Sequence, residues 1–268
     1  MPERVASKHM FRNHLKQIMN HSRLYPMMER YSLDTVGFGD DFLGDTLNSN
    51  LYTIANGGGA GATSAVITAG VLNGVATLET GTAGDSTASA EICTGLQFRG
   101  DQSCVVVACL KLDVITNVKV EVGFTDALDD AGAVNAKVTP TFTATDCAVW
   151  CLDTTDNAYW EGLAANNGST LPMVTVEAAI SPVADTYEYL MVELNENDSA
   201  SNECTVTFRR FDADGYLTYE GVGGRGTNQG PNGNVLLTPW IYIEARSAAE
   251  KIMTLDYFGA WQRRTSSS

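Results

Sequence analysis

The sequence predicts an all-β protein, a jelly-roll β-sandwich of two antiparallel sheets, preceded by an N-terminal arm with a short helix. From about residue 38, apolar side chains recur with the period of two that is typical of strands. Glycine-rich segments separate these runs, and beyond the arm no helical periodicity exceeds two turns. With 268 residues, 44% of them hydrophobic, the chain can bury one large core. We therefore divide it into an arm (1–37), a sandwich (38–262) and a C-terminal tail (263–268).

The strands are predicted from alternation. Val and Phe alternate with Asn, Lys and Glu in segment 117–124, and segments 204–209 and 240–244 follow the same pattern. Successive side chains of a strand point to opposite faces, so we expect each of these strands to have one face in water. Segment 104–112 is almost continuously apolar, which predicts a central strand covered on both faces.

Two turns are predicted from their residue types. Asn73-Gly74 lies between apolar residues and favours a two-residue hairpin turn, because both residues tolerate a positive φ. The segment Phe-Asp-Ala-Asp-Gly at 211–215 partly matches a calcium loop. That loop closes with a Glu twelve positions from its start, and Glu220 falls short of this position. A hairpin turn is therefore the favoured interpretation of this segment.

The arm differs from the rest of the chain in charge. Residues 1–30 contain six basic and two acidic side chains, a charge of +4, whereas the other 238 residues carry −19. An apolar stripe that includes Phe11, Leu15 and Ile18 predicts a short amphipathic helix, which ends before Pro26. A lone helix of this length is marginal in water, so it needs a surface to order against.

That surface is either the arm's own domain or a neighbouring subunit or acidic partner. For the second alternative we expect the contacts to come from the basic and large apolar side chains of the arm, namely Arg4, Lys8, Phe11, Arg12, Leu15, Lys16, Ile18, Arg23, Tyr25, Met27, Met28 and Arg30. Exposed ion pairs contribute only about 0–1 kcal/mol each, so apolar contacts and several arms per oligomer would supply most of the affinity.

Composition excludes several classes of function. A net charge of −15 argues against nucleic acid or an anionic membrane as a partner. No run approaches the roughly 20 apolar residues of a membrane span. The first residues lack the apolar stretch of a signal peptide, so we expect the product to stay in the cytoplasm and its six cysteines to be reduced structural thiols.

No motif specifies a reaction, a cofactor or a metal site. Gly221–Gly226 matches the dinucleotide pattern G-x-G-x-x-G, but the residues that follow cannot begin the helix that the motif requires. Glu193 and Glu196 lie three residues apart, so on a strand they point to opposite faces, and we interpret them with Asp198 as a solvated strand end. All three histidines lie on the arm, far from a candidate nucleophile. We therefore expect no catalytic site.

The two ends of the sandwich carry a family resemblance. Asp-Asp-Phe-Leu-Gly-Asp-Thr-Leu at 40–47 resembles the first strand of concanavalin/laminarinase-like jelly rolls, and Leu-Asp-Tyr-Phe-Gly-Ala-Trp at 255–261 resembles their last strand. Segments 105–112 and 118–126 are similar to phage virion proteins with this jelly roll. Catalytic members carry a Glu-x-Asp-x-Glu strand, and this sequence contains no match to it.

The resemblance implies a capsid decoration (cement) protein. Such a protein binds the major capsid protein on the outer surface of a virion that is assembled in the host cytoplasm, typically as a trimer, and stabilises the shell. The alternative is a carbohydrate-binding adhesin or a tail or fibre module. Its candidate sugar-stacking side chains are the aromatic residues Trp150, Tyr159, Trp160, Trp240 and Trp261.

Overall fold

The fold is described from a computed structural model. The structure describes residues 17–22, 35–55, 63–71, 74–81, 88–128, 132–168, 176–178, 181–196, 203–223 and 230–264. Within these residues the chain is almost entirely β, with one helical turn at 17–19 and one 3-10 turn at Gly100–Gln102. None of the helices in these ranges has the length and apolar character needed to cross a membrane.

Two eight-stranded antiparallel sheets form the sandwich, which confirms the predicted fold class. Sheet I has the order β16-β15-β14-β7-β18-β4-β3, with β1 also on β18. Its strands are β1 Thr35–Asp40, β3 Thr63–Ile67, β4 Ala76–Glu79, β7 Cys104–Leu112, β14 Glu188–Glu196, β15 Cys204–Phe211, β16 Leu217–Gly223 and β18 Ile252–Arg263. Sheet II has the order β13-β12-β11-β8-β17-β5-β2, with β6 also on β17. Its strands are β2 Thr53–Ala55, β5 Ser89–Cys93, β6 Phe98–Arg99, β8 Val118–Thr125, β11 Cys147–Asp153, β12 Asn157–Ala165, β13 Val176–Ala178 and β17 Leu236–Ala245.

The last strand holds sheet I together. One side of β18 pairs with β7 along almost its whole length. Its other side pairs with β4 through residues 252–255 and with β1 through residues 258–263. The first and last strands of the sandwich are therefore neighbours, as the resemblance implies. The position of the first strand was wrong, however, since it spans Thr35–Asp40 and only Asp40 of segment 40–47 belongs to it.

The core lies between the sheets and is built from one face of each strand. Val118, Val120, Val122 and Phe124 of β8 all point into it and are fully buried. Trp150 of β11 crosses from sheet II to sheet I, where its indole Nε1 donates to the backbone carbonyls of two neighbouring strands, Met191 at 3.1 Å and Arg209 at 3.2 Å. These bonds satisfy the polar atom of a buried tryptophan and tie the two sheets together.

One of the two predicted turns occurs as expected and the other does not, and Asn73 of the second lies outside the described residues. At 211–215 the chain turns between β15 and β16, with the Asp212 carboxylate accepting hydrogen bonds from the amides of Asp214 and Tyr216. Gly74 has the predicted positive φ of 65°, yet β3 ends at Ile67 and β4 begins at Ala76, so the two-residue turn was wrong. Gly74 packs so tightly against the backbone of residues 41–42 that no side chain would fit, and this contact holds the longer loop in place.

Candidate functional site

The outer face of sheet II, which points away from the core, carries charged and aromatic side chains. Its centre holds Lys119 and Glu121 of β8, with Trp240, Tyr242 and Glu244 of β17 beside them. All five are buried. The prediction that these strands have one face in water was therefore wrong, since alternation shows which side chains share a face but not whether that face is covered.

The charges on this face are paired with one another. Lys119 Nζ lies 3.0 Å from Glu121 Oε1 and 3.6 Å from Glu244 Oε2. Arg246 extends the network, with one guanidinium nitrogen 2.7 Å from Glu244 and the other 2.6 Å from Asp153 of β11. Burial lowers the pKa of Lys119, but the charges of Glu121 and Glu244 outweigh this effect, so the net pKa is raised and the ammonium is retained.

A segment of the chain itself covers this face. Residues 132–146, which include the short pair β9 Val134–Ala136 and β10 Thr141–Phe142, form an apolar cluster with the outer side chains of β11 and β17. The backbone amides of Ala133 and Val134 donate to the Glu121 carboxylate at 2.6 and 3.1 Å. Trp240 Nε1 donates to the same carboxylate at 3.2 Å, and Lys119 donates to the Val134 carbonyl. We call residues 132–146 the cover segment.

Part of the outer face of sheet I is an apolar surface, and the described part of the arm covers it. Ile18 and Met19, in the helical turn at 17–19, are buried against an apolar surface of sheet I. That surface consists of Val105, Val107, Cys109, Tyr189, Met191, Phe211 and Tyr257. The ring of His21 packs edge-on against Phe211 at 5.4 Å, and the Ser22 hydroxyl donates to Glu193 at 3.3 Å. The described part of the arm therefore docks on its own domain.

These contacts bear on the predicted partner-binding residues. Ile18 is 0% exposed and packs on its own subunit, which matches the alternative in which the arm docks on its own domain. The other eleven predicted contacts, Arg4, Lys8, Phe11, Arg12, Leu15, Lys16, Arg23, Tyr25, Met27, Met28 and Arg30, lie outside the described residues. Their contact with a partner stays a prediction.

The acidic residues singled out in the sequence do not converge. Glu193 is completely buried on the outer face of sheet I and pairs with Arg209 at 2.7 Å, so its assignment to a solvated strand end was wrong. Glu196 is exposed at the end of the same strand, and Asp198 lies outside the described residues. The central strand β11 presents Cys147, Val149 and Cys151 to the cover segment.

The six cysteines all lie in strands of the sandwich. All six cysteines are buried free thiols. Burial, then the charge of Glu121, raises the pKa of Cys151, and burial likewise raises that of Cys147, so both stay protonated. In the ranges that the structure covers, no three His, Cys, Asp or Glu side chains gather as a metal-binding group.

Most of the candidate sugar-stacking aromatics are inaccessible. Trp150, Trp160 and Trp240 are fully buried, and Trp261 is half-buried and stacks on Tyr257. Tyr159 is 36% exposed and is the member of the predicted set that is most open to solvent. Of the dinucleotide-like motif, the first three residues belong to β16 and the others lie outside the described residues.

Sequence reasoning missed the buried network because it treated each polar side chain as solvated. One signal could have indicated it. Lys119 and Glu121 carry opposite charges two residues apart on one strand face, and Trp240, Tyr242 and Glu244 place two large aromatics on the polar face of another strand. Large aromatics are rarely left in water, so such a mixed face is expected to be covered.

Solved structures with known folds match the whole sandwich. A protein of unknown function from Shewanella oneidensis MR-1 aligns with a TM-score of 0.57 and 12% identity, over 88% of this chain and 89% of that one. Peanut lectin aligns with a TM-score of 0.55 and 10% identity, over 87% of this chain and 100% of that one. A Bacillus licheniformis β-glucanase aligns with a TM-score of 0.54 and 14% identity, over 85% of this chain and 98% of that one.

These neighbours place the chain in the concanavalin/lectin-like jelly-roll fold, as the sequence resemblance implies. No protein-family model matches the sequence, and neither does any curated protein. At such low identity the structural likeness extends to the fold alone, and a fold of this kind hosts unrelated functions.

Proposed function

We propose that this chain is a non-catalytic structural subunit of a virion, a capsid decoration protein that binds the outer surface of the shell formed by the major capsid protein. One observation supports this proposal most. The outer face of sheet II is filled by the cover segment, and its charges pair inside the protein. A catalytic or sugar-binding groove needs polar groups that converge on open space, whereas this face is built to be filled.

Charge supports the same role. The described sandwich belongs to the 238 residues that carry −19, and the predicted basic contacts precede it on the arm. An acidic body that projects from a shell keeps particles apart in solution, and the basic residues of the arm would attract an acidic shell surface. We propose a trimer, because three arms on one oligomer multiply weak individual contacts.

The first test asks whether the chain is part of the particle. Purified virions of the phage that encodes it are analysed by quantitative mass spectrometry. We expect to find the chain at a fixed copy number relative to the major capsid protein. We also expect light scattering of the purified chain to give the mass of a trimer. Absence from particles that have intact shells would overturn the proposal.

The second test asks whether the arm makes the attachment. Substituting Arg4, Lys8 and Arg12 with serine leaves the docked residues 17–22 unchanged, so we expect a folded protein that no longer cosediments with undecorated shells. The matched control substitutes Arg263 and Arg264, two exposed basic residues at the other end of the chain, and we expect it to bind fully. Equal binding by both variants would contradict the role of the arm.

Carbohydrate binding is the second candidate, and the fold neighbours support it, since they include a lectin complexed with galactose. The accessible aromatics Tyr159 and Tyr216, 36% and 61% exposed, would be its stacking platforms. A glycan array probed with the full chain tests this candidate. A signal that is lost in Tyr159→Ala or Tyr216→Ala would favour it over the structural role, and a uniformly blank array would remove it.

A further inference from the structure

A buried lysine, a carboxamide and a carboxylate meet where the cover segment touches sheet II. Lys137, the residue after β9, is 1% exposed, and its Nζ lies 2.7 Å from Oδ1 of Asn157, the first residue of β12. The Asn157 amide nitrogen donates in turn to Glu161 Oε1 at 2.7 Å. Glu161 is also buried, at 5% exposure. The ion-pair network around Lys119 does not involve these three residues.

We propose that Lys137, Asn157 and Glu161 form a self-modification site, at which Lys137 Nζ and Asn157 Cγ join in an intramolecular isopeptide bond and ammonia is released. The amine attacks the carboxamide carbon, the new Cγ–Nζ bond forms, and the Cγ–Nδ2 bond breaks. Glu161 accepts the proton that leaves Nζ and passes it to the departing Nδ2, so it ends as it began. Every atom is accounted for, and no oxidant or reductant is needed.

The geometry fits the roles of the nucleophile and of the leaving group. A nucleophile and its target held at hydrogen-bond distance react as if at very high concentration, so a slow amide exchange becomes feasible. The Lys137 amine is held in place by two backbone carbonyls, those of Asn157 at 3.0 Å and Tyr159 at 2.9 Å. Glu161 contacts the leaving nitrogen itself, which is where a proton must be delivered.

The attack requires a neutral amine, which Lys137 forms by losing one of the protons that it donates to its three oxygen acceptors. Burial lowers the pKa of Lys137, and this effect exceeds the opposing influence of the acidic groups that face it, Cys151, Glu161, Asp153 and Asp156. A lysine becomes a nucleophile when it is desolvated in this way.

Lys119, the other fully buried lysine of this face, provides an internal contrast. Its partners include the carboxylates of Glu121 and Glu244 and the backbone carbonyl of Val134. Its pKa is raised rather than lowered. We therefore expect Lys119 to remain an unmodified ammonium while Lys137 reacts.

The bond would fasten the cover segment to the β11–β12 hairpin. The Lys137 amide already donates to the Asp156 carboxylate at 3.2 Å, so the two segments are in contact before the reaction. A covalent link between residues 137 and 157 would prevent the cover segment from separating from sheet II, which removes conformations from the unfolded state in the same manner as a disulfide.

The test is the intact mass of the folded full chain, with circular dichroism of the same sample to establish the β-fold. We expect a mass lower than that of the sequence by about 17 Da, the mass of ammonia, and a tryptic peptide pair joined through residues 137 and 157. Lys137→Arg keeps a cation for the two carbonyls but lacks the nucleophile, and Glu161→Gln keeps a hydrogen-bond acceptor but cannot relay a proton. We expect both to show the full mass and a lower midpoint of thermal unfolding.

The matched control is Lys111→Arg, at a partly exposed lysine of sheet I that pairs with Asp185. This variant should retain the mass loss. A folded wild-type chain with the full mass would overturn the proposal. A mass loss that persists in Lys137→Arg would also overturn it, because a ring closed at an Asn-Gly sequence loses ammonia without any lysine.

Discussion

The two outer faces of the sandwich are both covered by the chain itself, but by different physical means. On sheet I, the helical turn at 17–19 inserts Ile18 and Met19 against an apolar surface. On sheet II, the cover segment is held by hydrogen bonds to Glu121 and by a network of buried charges. One face is thus closed by the apolar side chains of Ile18 and Met19, which we call the plug. The other is closed by the hydrogen bonds and buried charges around Lys119 and Glu121, which we call the polar network.

The difference determines which cover can leave. Exposing Ile18 and Met19 to water costs roughly 1.5–3 kcal/mol for each side chain. An apolar partner that buries the same surface would offset this cost. Separating the cover segment would break its hydrogen bonds to Glu121 and Lys119, and it would also expose a larger apolar cluster that includes Trp240 and Tyr242. We therefore expect sheet I to be the face that can exchange its cover and sheet II to stay closed.

The largest effect on stability is expected from breaking the polar network on sheet II. Glu121→Ala removes the acceptor of two backbone amides and an indole and leaves Lys119 with one carboxylate at 3.6 Å. We expect a loss of about 3–5 kcal/mol in the free energy of unfolding, measured by denaturant titration. Glu121→Gln, which retains an acceptor, serves as the control and should lose less. Equal stability of Glu121→Ala and wild type would show that the polar network does not hold the cover segment on sheet II.

A smaller effect is expected from the plug on sheet I. Ile18→Asp places a charge in the apolar seat, so residues 17–22 should leave while the sandwich stays folded. We expect a loss of roughly 1.5–3 kcal/mol and increased binding of an apolar dye to the surface that is uncovered. Asn20→Asp, at an exposed position of the same turn, is the control with the same added charge. Cooperative collapse of the whole sandwich in Ile18→Asp would contradict a plug that can be exchanged.

The faces should also differ in their response to pH, because sheet I carries an acid without a cation. Asp256 of β18 has no ion-pair partner among the described residues, and burial followed by the charge of Asp41 raises its pKa to about 6. The unfolded value is about 3.9, so the folded protein binds the proton more tightly. Stability should therefore fall as the pH rises from about 4 to 6 and then level off.

Asp256→Asn removes this titration. We expect it to raise the midpoint of thermal unfolding at pH 7 and to have little effect near pH 4. The exposed Asp185, 3.7 Å from Lys111, is the control position, and its Asn variant should show no such gain. A loss of stability in Asp256→Asn that is the same at both pH values would contradict the prediction.

The smallest effect is expected at the edge of sheet I. Glu220 lies 2.6 Å from Arg209, but its side chain is 42% exposed, and Arg209 keeps its buried partner Glu193. Glu220→Ala should therefore cost about 0–1 kcal/mol, whereas Glu193→Ala should cost several times as much by the same denaturant titration. Similar losses for the two variants would show that burial does not set the strength of these pairs.

The sequence predicted the architecture but not the closed faces. The continuous apolar run at 104–112 identified a strand covered on both sides, because side chains on both faces must then avoid water. The alternation at 117–124 identified β8, yet its polar face is buried. The cover segment buries that face, and its contacts arise only after the chain folds back. A local pattern around Lys119 therefore does not indicate which segment covers the face.

The same reason explains the wrong assignment of Glu193. Its partner Arg209 lies on the neighbouring strand, opposite Met191 in the register of β14 and β15. Such a pairing depends on which strands are neighbours, and single-sequence reasoning does not supply that order. The contact between Lys137 and Asn157 was missed for the same reason, since a turn and a hairpin meet only once the sheet has formed.

The position of the last strand has a consequence for biosynthesis. Because β18 sits between β7 on one side and β4 and β1 on the other, sheet I stays in three pieces, β16-β15-β14-β7, β4-β3 and β1, until residues 252–263 have left the ribosome. A nascent chain that cannot close its core exposes unpaired edges while it waits. The sandwich therefore assembles only after β18 has been synthesised, and a truncation that removes β18 should yield insoluble protein rather than a shortened domain.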